Sequence, residues 1–199
     1  MKDQIFMRAF IRMHFCKIFY RVKYVNIEKL QSVKRCVICP NHTTNNDAFW
    51  IYNKTSKMFI MAKSDLFKNK FINKLWKRYR VFPVDRGKVD VKSTLQAANV
   101  FKENEGEVQL LIFPEGKVIK DVSEIGVVKN GAVYIAANAG VPIVPVHITR
   151  RPPLFGKVVV TIGDKIDVDK SILDSKEKIR EKSKELLRTI YAMEGIEVK

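Results

Sequence analysis

Short apolar segments that alternate with helical patterns along the chain are the feature that most constrains its fold. Residues 108–113 and 142–147 are apolar at all but one position each, which is typical of strands buried on both faces of a parallel sheet. Between such segments, apolar residues recur every three or four positions, which predicts helices. We therefore predict an α/β fold, a single domain with a largely parallel mixed sheet flanked by helices.

The predicted elements follow one another in a regular order. We predict strands at 22–27, 34–39, 58–62, 81–84, 108–113, 142–147 and 157–162. We predict helices at 3–20, 47–53, 70–79, 89–102, 131–138 and 171–192. Gly140 suits the C-terminal cap of the helix at 131–138. The last helix has one apolar and one charged side, so we interpret it as a solvated covering helix.

The N-terminal segment differs in character from the rest of the chain. Its aromatic residues include Phe6, Phe10, Phe15 and Phe19, and its only acid is Asp3. A basic helix with exposed aromatics suits a membrane interface, although a helix packed on the core accounts for the same residues. The segment lacks the roughly 20 uninterrupted apolar residues of a spanning helix. We therefore expect an amphipathic membrane-interface helix at 1–21 and a globular domain at 22–199.

The charge balance narrows the class of partner. The 199 residues include 37 Lys and Arg against 21 Asp and Glu, a net charge of +16. Such an excess indicates an anionic partner, namely nucleic acid, an anionic membrane or a phosphorylated substrate. Between Lys54 and Lys92, twelve basic residues stand against three aspartates. A solvated basic surface would have the same composition, so the charge alone does not choose among these.

Cys36 and Cys39 have the C-x-x-C spacing of redox and zinc sites. Both fall within a predicted buried strand, whereas redox cysteines usually lie at a helix N-terminus. No second C-x-x-C completes a zinc site. We interpret both as small apolar residues and expect no metal, and the odd total of three cysteines favours a reducing compartment.

A polar segment after the second predicted strand contains a candidate catalytic pair. His42 follows the strand directly, which places it on the ligand side of an α/β sheet. If Asp47 lies in the first turn of the next helix, its carboxylate can reach the histidine. A carboxylate that fixes the tautomer of an imidazole and stabilises its protonated form makes it a general base. The alternative is a polar turn with His42 at the surface.

Two other predicted strand ends carry residues suited to an anionic ligand. Glu115 and Gly116 follow the segment 108–113, where they would place an acceptor and backbone N–H groups beside a ligand. The alternative there is a tight turn with a surface glutamate. Arg86 follows the strand at 81–84, and its planar guanidinium suits a phosphate.

In this order and at these strand ends, the segments resemble the lysophosphatidate acyltransferase family, the glycerophospholipid acyltransferases with an N-H-x-x-x-x-D signature. The resemblance covers residues 22–165, and four blocks together are far more specific than any one of them. The blocks are Asn41 to Asp47; Ala62-Lys63 with Phe82-Pro83 and Asp85-Arg86; Phe113 to Gly116; and Lys129 to Ala132 with Val141 to Val146.

The resemblance implies an activity for the domain at 22–199. It implies acyl transfer from a thioester of coenzyme A or an acyl carrier protein to the hydroxyl of a lysophospholipid, foremost 1-acylglycerol-3-phosphate. His42 would be the general base and Asp47 its orienting partner, with no acyl-enzyme. The implied substrate-binding residues are Arg86, Glu115, Gly116, Lys117 and Lys129. No cofactor is implied beyond the thioester co-substrate.

The third block departs from the family pattern. The family continues with Thr-Arg after its glycine, whereas Lys117 and Val118 stand here. Lysine offers a point charge in place of the arginine fork. Lys117 or Lys120 is the expected substitute, and the alternative is a different lyso-lipid acceptor.

The expected partners are a lysophospholipid, an anionic membrane surface and, where the donor is not acyl-CoA, an acyl carrier protein, without nucleic acid. The expected location is the cytoplasmic face of the cell membrane, peripheral or monotopic. Two alternatives stay open. One is a nucleic-acid-binding domain, although no helix-turn-helix, zinc finger or RNP-type strand is found. The other is a membrane-bound relative that binds lipid without catalysis. A Ser–His hydrolase would need a G-x-S-x-G elbow, which the sequence lacks.

Overall fold

In the computed structural model, which describes residues 20–52, 54–55, 57–69, 73–74, 76, 79–84 and 91–198, seven strands form one sheet. The strands are β1 (Arg21–Val25), β2 (Arg35–Pro40), β3 (Met58–Lys63), β4 (Val81–Val84), β5 (Val108–Leu111), β6 (Ile143–Ile148) and β7 (Lys157–Ile162). The α-helices are α1 (Ile27–Gln31), α2 (Asp47–Tyr52), α3 (Val91–Glu103), α4 (Gly131–Ala139) and α5 (Lys176–Ala192). The helix predicted at 3–20 lies outside the described residues, as do Arg86 and most of the helix predicted at 70–79.

The sheet is largely parallel, which confirms the predicted fold class. Its strand order is β1-β7-β6-β2-β5-β3-β4. The pairing of β6 with β7 is antiparallel, and the other neighbouring strands of this sheet pair in parallel. The carboxyl ends of β2, β5 and β6 therefore meet at one edge of the sheet. Because β7 and β1 run the opposite way, both begin at that same edge, which we call the catalytic edge.

The two faces of the sheet are covered by different helices. In β2, Val37 and Cys39 face the apolar cluster built with α3, α4 and α5, and Cys36 and Ile38 face the cluster that includes residues of α1 and α2. This alternation follows from the two-residue period of a strand. Because both faces are buried, the central strands carry apolar residues at nearly every position.

Both β2 cysteines are free thiols inside this core. Burial raises the pKa of Cys36 to about 12. Burial, followed by the neighbouring Cys36, also raises the pKa of Cys39. Both therefore stay protonated near neutral pH, which confirms their interpretation as apolar strand residues.

The structure differs from the predicted elements most clearly at three places. Helix α1 was not predicted; Asn26 ends β1 with φ +56°, a left-handed conformation that asparagine tolerates. β5 ends at Leu111, two residues before the predicted end. The helix predicted at 171–192 is a 3₁₀ turn, Lys170–Asp174, followed by α5. Ser175 separates them because its extended backbone and its side chain, which accepts from the Lys178 N–H, form the N-cap of α5.

Within the part of the chain that the structure describes, no helix combines the length and the apolar character needed to cross a bilayer.

Candidate active site

His42 and Asp47 meet immediately after β2. Nδ1 of His42 lies 3.0 Å from Oδ2 of Asp47, and Asp47 is the first residue of α2. His42 is 7% exposed and Asp47 is fully buried. The structure thus brings together the pair that the sequence predicted, and the burial of His42 excludes the alternative of a surface histidine.

The Asp47 carboxylate is held by the loop that it follows. Its Oδ2 accepts the backbone N–H of Thr43 at 2.6 Å and that of Thr44 at 2.9 Å. Its Oδ1 accepts the hydroxyl of Thr44 at 2.6 Å. These donors satisfy a buried charge that would otherwise be costly. Asp47 is thereby fixed in position to orient the histidine ring.

One nitrogen of His42 remains available for chemistry. With Nδ1 against the carboxylate, the favoured tautomer carries its proton on Nδ1. Nε2 then has a lone pair, and it forms no hydrogen bond with any residue in the described ranges. The ring also stacks on Phe113, with centroids 3.7 Å apart and an interplanar angle of 18°. The stack and the carboxylate together fix the direction of Nε2.

Glu115 lies beside the same histidine, with its carboxylate turned inward. It is 1% exposed, so the alternative of a surface glutamate is wrong. Its Oε2 accepts the His42 backbone N–H at 2.7 Å, and its Oε1 accepts the hydroxyl of Tyr191. Burial raises the pKa of Glu115 to about 7, although the hydrogen bonds from Tyr191 and His42 oppose the rise. In this geometry Glu115 supports the backbone of the loop between β2 and α2, residues 41–46, which we call the catalytic loop after the predicted role of His42.

Asn41 joins the catalytic loop to β6. Its side-chain amide donates to the carbonyl of Ile148 at 2.9 Å, and its side-chain oxygen accepts the Ile148 N–H at 2.7 Å. The carbonyl of His42 accepts the Ile119 N–H at 2.7 Å. The backbone on either side of the histidine is therefore tied to two other segments of the catalytic edge.

The other predicted binding residues lie in different settings. Gly116 adopts φ +69°, and a Cβ there would lie 3.0 Å from Cγ of Lys129, so the stem of Lys129 covers this turn. The ammonium of Lys117 lies 2.6 Å from Oε2 of Glu124. Arg86 lies outside the described residues. Substrate binding by all of these residues stays a prediction.

The contact between Tyr191 and Glu115 was not predicted from the sequence, because α5 was interpreted only as a covering helix. The Tyr191 ring is buried, and its hydroxyl reaches Glu115 across the sheet face. Burial is the first cause that raises the pKa of Tyr191, followed by the charge of Glu115. Leu187 and Tyr191 share the four-residue spacing of the apolar side of α5. That spacing indicates burial, and a buried tyrosine hydroxyl needs a partner.

No three His, Cys, Asp or Glu side chains of the described ranges are arranged to hold a metal ion. The polar groups at the catalytic edge comprise an oriented imidazole, a carboxylate bonded to its Nδ1 and a second buried carboxyl group that accepts its backbone N–H.

Comparison with known proteins gives relatives of one kind. The family model described as Acyltransferase matches residues 21–149. A 1-acyl-sn-glycerol-3-phosphate acyltransferase of Bacillus subtilis (strain 168) is 34% identical over 142 residues, which cover 68% of each chain. The protein of the same name from Streptococcus pneumoniae (strain ATCC BAA-255 / R6) is 29% identical over 153 residues, covering 73% of this chain and 55% of its own.

A solved structure shares the fold. The 1-acyl-sn-glycerophosphate (LPA) acyltransferase PlsC from Thermotoga maritima superposes with a TM-score of 0.70 at 22% identity. The superposition covers 98% of this chain and 81% of that one, so the sheet and its covering helices correspond over nearly the whole chain.

Proposed function

Because the chain belongs to the acyltransferase family, we propose that it transfers a fatty acyl group from a thioester to the free hydroxyl of 1-acylglycerol-3-phosphate, which yields phosphatidate. The observation that carries this proposal is the buried His42–Asp47 pair, whose Nδ1–Oδ2 distance is 3.0 Å, at the carboxyl ends of parallel strands. The names of the two bacterial relatives support the choice of acceptor.

The proposed reaction is a direct transfer. Nε2 of His42 removes the proton of the acceptor hydroxyl as its oxygen attacks the thioester carbonyl carbon. Asp47 stabilises the imidazolium that forms. The tetrahedral intermediate collapses with cleavage of the C–S bond, and the imidazolium returns the proton to the departing sulfur. The only cysteines among the described residues are buried in β2 and stay protonated, so neither is placed to form an acyl-enzyme.

Replacement of the proposed base tests the reaction. In a His42→Ala protein we expect turnover to fall by about 10²- to 10⁴-fold, which is the usual contribution of a general base. The product would be identified by mass after incubation with each thioester donor and a panel of lysolipids. His42→Gln, which keeps much of the side-chain volume, would separate loss of the base from loss of packing. Unchanged turnover by either variant, with an unchanged melting temperature, would exclude His42 as the base.

The acyl donor and the acceptor are separate parts of the proposal. The net charge of +16 favours a donor that carries negative charge, which coenzyme A and an acyl carrier protein both do. Turnover with one thioester and not the other identifies the donor. A different lyso-lipid acceptor is the second candidate, because Val118 occupies the position of the family arginine. Faster turnover of a phosphate-free lysolipid than of 1-acylglycerol-3-phosphate would favour it.

We also propose that the catalytic edge faces the cytoplasmic side of an anionic membrane. The turn between β6 and β7 lies at this edge and exposes 59% of Leu154 and 60% of Phe155. Arg151 and Lys157, on either side of them, are exposed cations. Apolar side chains between cations suit the interface of an anionic bilayer. Since β1 also begins here, the interfacial helix proposed at 1–21 would join the domain at the same edge.

Vesicle binding tests this orientation. A Leu154→Ser, Phe155→Ser double variant should bind anionic vesicles more weakly than the wild type does, and Leu95→Ser, which changes an exposed leucine on α3, should not. Added salt should weaken wild-type binding because each basic residue near the surface contributes about 1 kcal/mol. Equal binding by the double variant, or equal binding to neutral vesicles, would contradict the proposed orientation.

A further inference from the structure

The third family block lacks a guanidinium in this chain. Val118 stands where the family has arginine, and Lys117 is paired with Glu124 at 2.6 Å. A phosphate-bearing acceptor needs donors that can match its oxygens, and arginine does so with a planar fork. An arginine from another element of the fold could supply that fork if its side chain reached the same place.

Arg150 follows β6 by two residues and precedes a residue that contacts two segments of the active site. The Arg151 N–H donates to the hydroxyl oxygen of Thr43 at 3.2 Å, in the catalytic loop. The Arg151 guanidinium donates to the carbonyl of Lys120 at 3.5 Å. The backbone next to Arg150 therefore contacts the loop that carries His42, and the Arg151 side chain reaches the segment that continues from Glu115.

The Arg150 side chain has a buried donor without an acceptor. Its Nε is buried and has no hydrogen-bond partner, and no carboxylate of the described residues forms an ion pair with its guanidinium. Arginine is always charged, and a buried donor that lacks an acceptor costs free energy. An anionic ligand that accepted a hydrogen bond from Nε would remove that cost.

The positive charge of Arg150 influences two carboxyl groups on either side of Val118, the position of the missing arginine. Burial raises the pKa of Glu115, and the positive charge of Arg150 is among the influences that oppose the rise. Hydrogen bonds from Ser123 lower the pKa of Asp121, and Arg150 lowers it further. Glu115 and Asp121 stand three residues before and after Val118. Arg150 is also among the smaller influences on the pKa values of His147 and Tyr191, which burial mainly sets. The guanidinium therefore lies near the buried Glu115–Tyr191 contact, from which the chain continues to Val118.

We propose that Arg150 binds the phosphate of the lysophospholipid acceptor and takes the place of the arginine that the third block lacks. The inference rests on the proposed function, because it assumes a phosphate-bearing acceptor. The geometric support is the segment after β6, which contacts the catalytic loop, and the buried Arg150 Nε, which lacks an acceptor. Arg150 would act as a binding residue that distinguishes acceptors with and without a phosphate.

Direct binding tests the inference without any need for acyl transfer. Isothermal titration calorimetry would compare a short-chain 1-acylglycerol-3-phosphate with the 1-acylglycerol that lacks the phosphate. Wild type should bind the phosphate-bearing lipid more tightly. In Arg150→Ala that preference should fall by roughly 10- to 100-fold, as expected for lost charge-assisted hydrogen bonds. Arg150→Lys should recover part of it. Arg188→Ala, which removes an exposed charge on α5, should change it by less than about threefold.

Each alternative result would overturn the inference. These results are an unchanged phosphate preference in Arg150→Ala, an equal loss for both lipids, an equal loss in Arg188→Ala, or no phosphate preference in the wild type. Thermal unfolding would check that each variant is folded, and if Arg150→Ala is not, Arg150→Gln replaces it under the same criteria. Normal phosphate-dependent binding with no turnover on any lysolipid would contradict the proposed function and leave the role of Arg150 supported.

Discussion

The hydroxyl of Tyr191 donates to Oε1 of Glu115, while Oε2 of the same carboxyl group accepts the backbone N–H of His42. The C-terminal helix α5 is thereby connected to the catalytic loop through one buried side chain. This relationship gives α5 a part in positioning the site beyond covering the sheet, and it can be tested by changing either member of the pair.

Removal of the Tyr191 hydroxyl should destabilise the protein. Tyr191→Phe leaves Oε1 of Glu115 buried without its donor, which costs about 1–3 kcal/mol. The free energy of unfolding in urea would measure the loss. Tyr134→Phe is the matched control because no described residue bonds the Tyr134 hydroxyl, and we expect a change within about 0.5 kcal/mol there. Equal stability of the two variants would show that the contact contributes nothing.

Glu115 should make stability depend on pH. Its pKa is about 7 in the folded protein against an ordinary 4.5, so between these values the folded state holds a proton that the unfolded chain has lost. Stability should therefore decrease as pH rises through this window, by about 3 kcal/mol from this group. Glu115→Gln removes the titration and should flatten the curve of unfolding free energy against pH. Parallel curves for variant and wild type would contradict the prediction.

Loss of the Asp47 charge should reduce catalysis more than folding. In Asp47→Asn, the amide oxygen can take the place of Oδ2, and the NH₂ group can donate to Thr44 Oγ1. The contacts with Thr43, Thr44 and His42 can then persist, but the imidazolium loses its counter-charge. We expect turnover to fall by roughly 10²- to 10³-fold and the melting temperature to change little.

Asp169→Asn is the control for that substitution. Asp169 caps an exposed 3₁₀ turn through Ser171, and its replacement should leave turnover near the wild-type value. If Asp47→Asn also kept wild-type turnover, the carboxylate would have no electrostatic role in the reaction.

A side chain at position 116 should destabilise the turn. Gly116 has φ +69°, and an added Cβ would lie 3.0 Å from the Lys129 side chain. Gly116→Ala should therefore destabilise by about 1–2 kcal/mol. Gly131→Ala makes the same change at the start of α4, where nothing lies within 4 Å of the new methyl group. There the effect should range from neutral to about 1 kcal/mol stabilising. Equal unfolding midpoints of the two variants would contradict this.

The sequence predicted the features that depend on residues close to one another along the chain. Alternating apolar and helical segments predict a parallel sheet, and the carboxyl ends of its strands bring His42 and Glu115 to one edge. Asp47, at the start of the next helix, is within reach of His42 because only a short loop separates the two residues. These predictions need only the order and type of the elements, and the structure agrees with them.

Contacts between distant parts of the chain could not be predicted in this way. Tyr191 and Glu115 are 76 residues apart, and their contact depends on how α5 crosses the sheet, which no local pattern specifies. The inward direction of the Glu115 carboxylate could not be predicted either. A glutamate that follows a strand occupies the same sequence position whether its side chain faces solvent or the core. The break at Ser175 was missed because the apolar period continues through a 3₁₀ turn.

The double hydrogen bond between the Asn41 side chain and the backbone of Ile148 means that the histidine loop cannot swing open independently of the central strands. In the proposed reaction the imidazole would therefore be preorganised before any lipid arrives, and little reorganisation energy would remain to be spent during the proton transfer. Without this amide link the loop would still contain the proposed catalytic groups, but the reaction would be slower because the mobile loop would have to regain their arrangement.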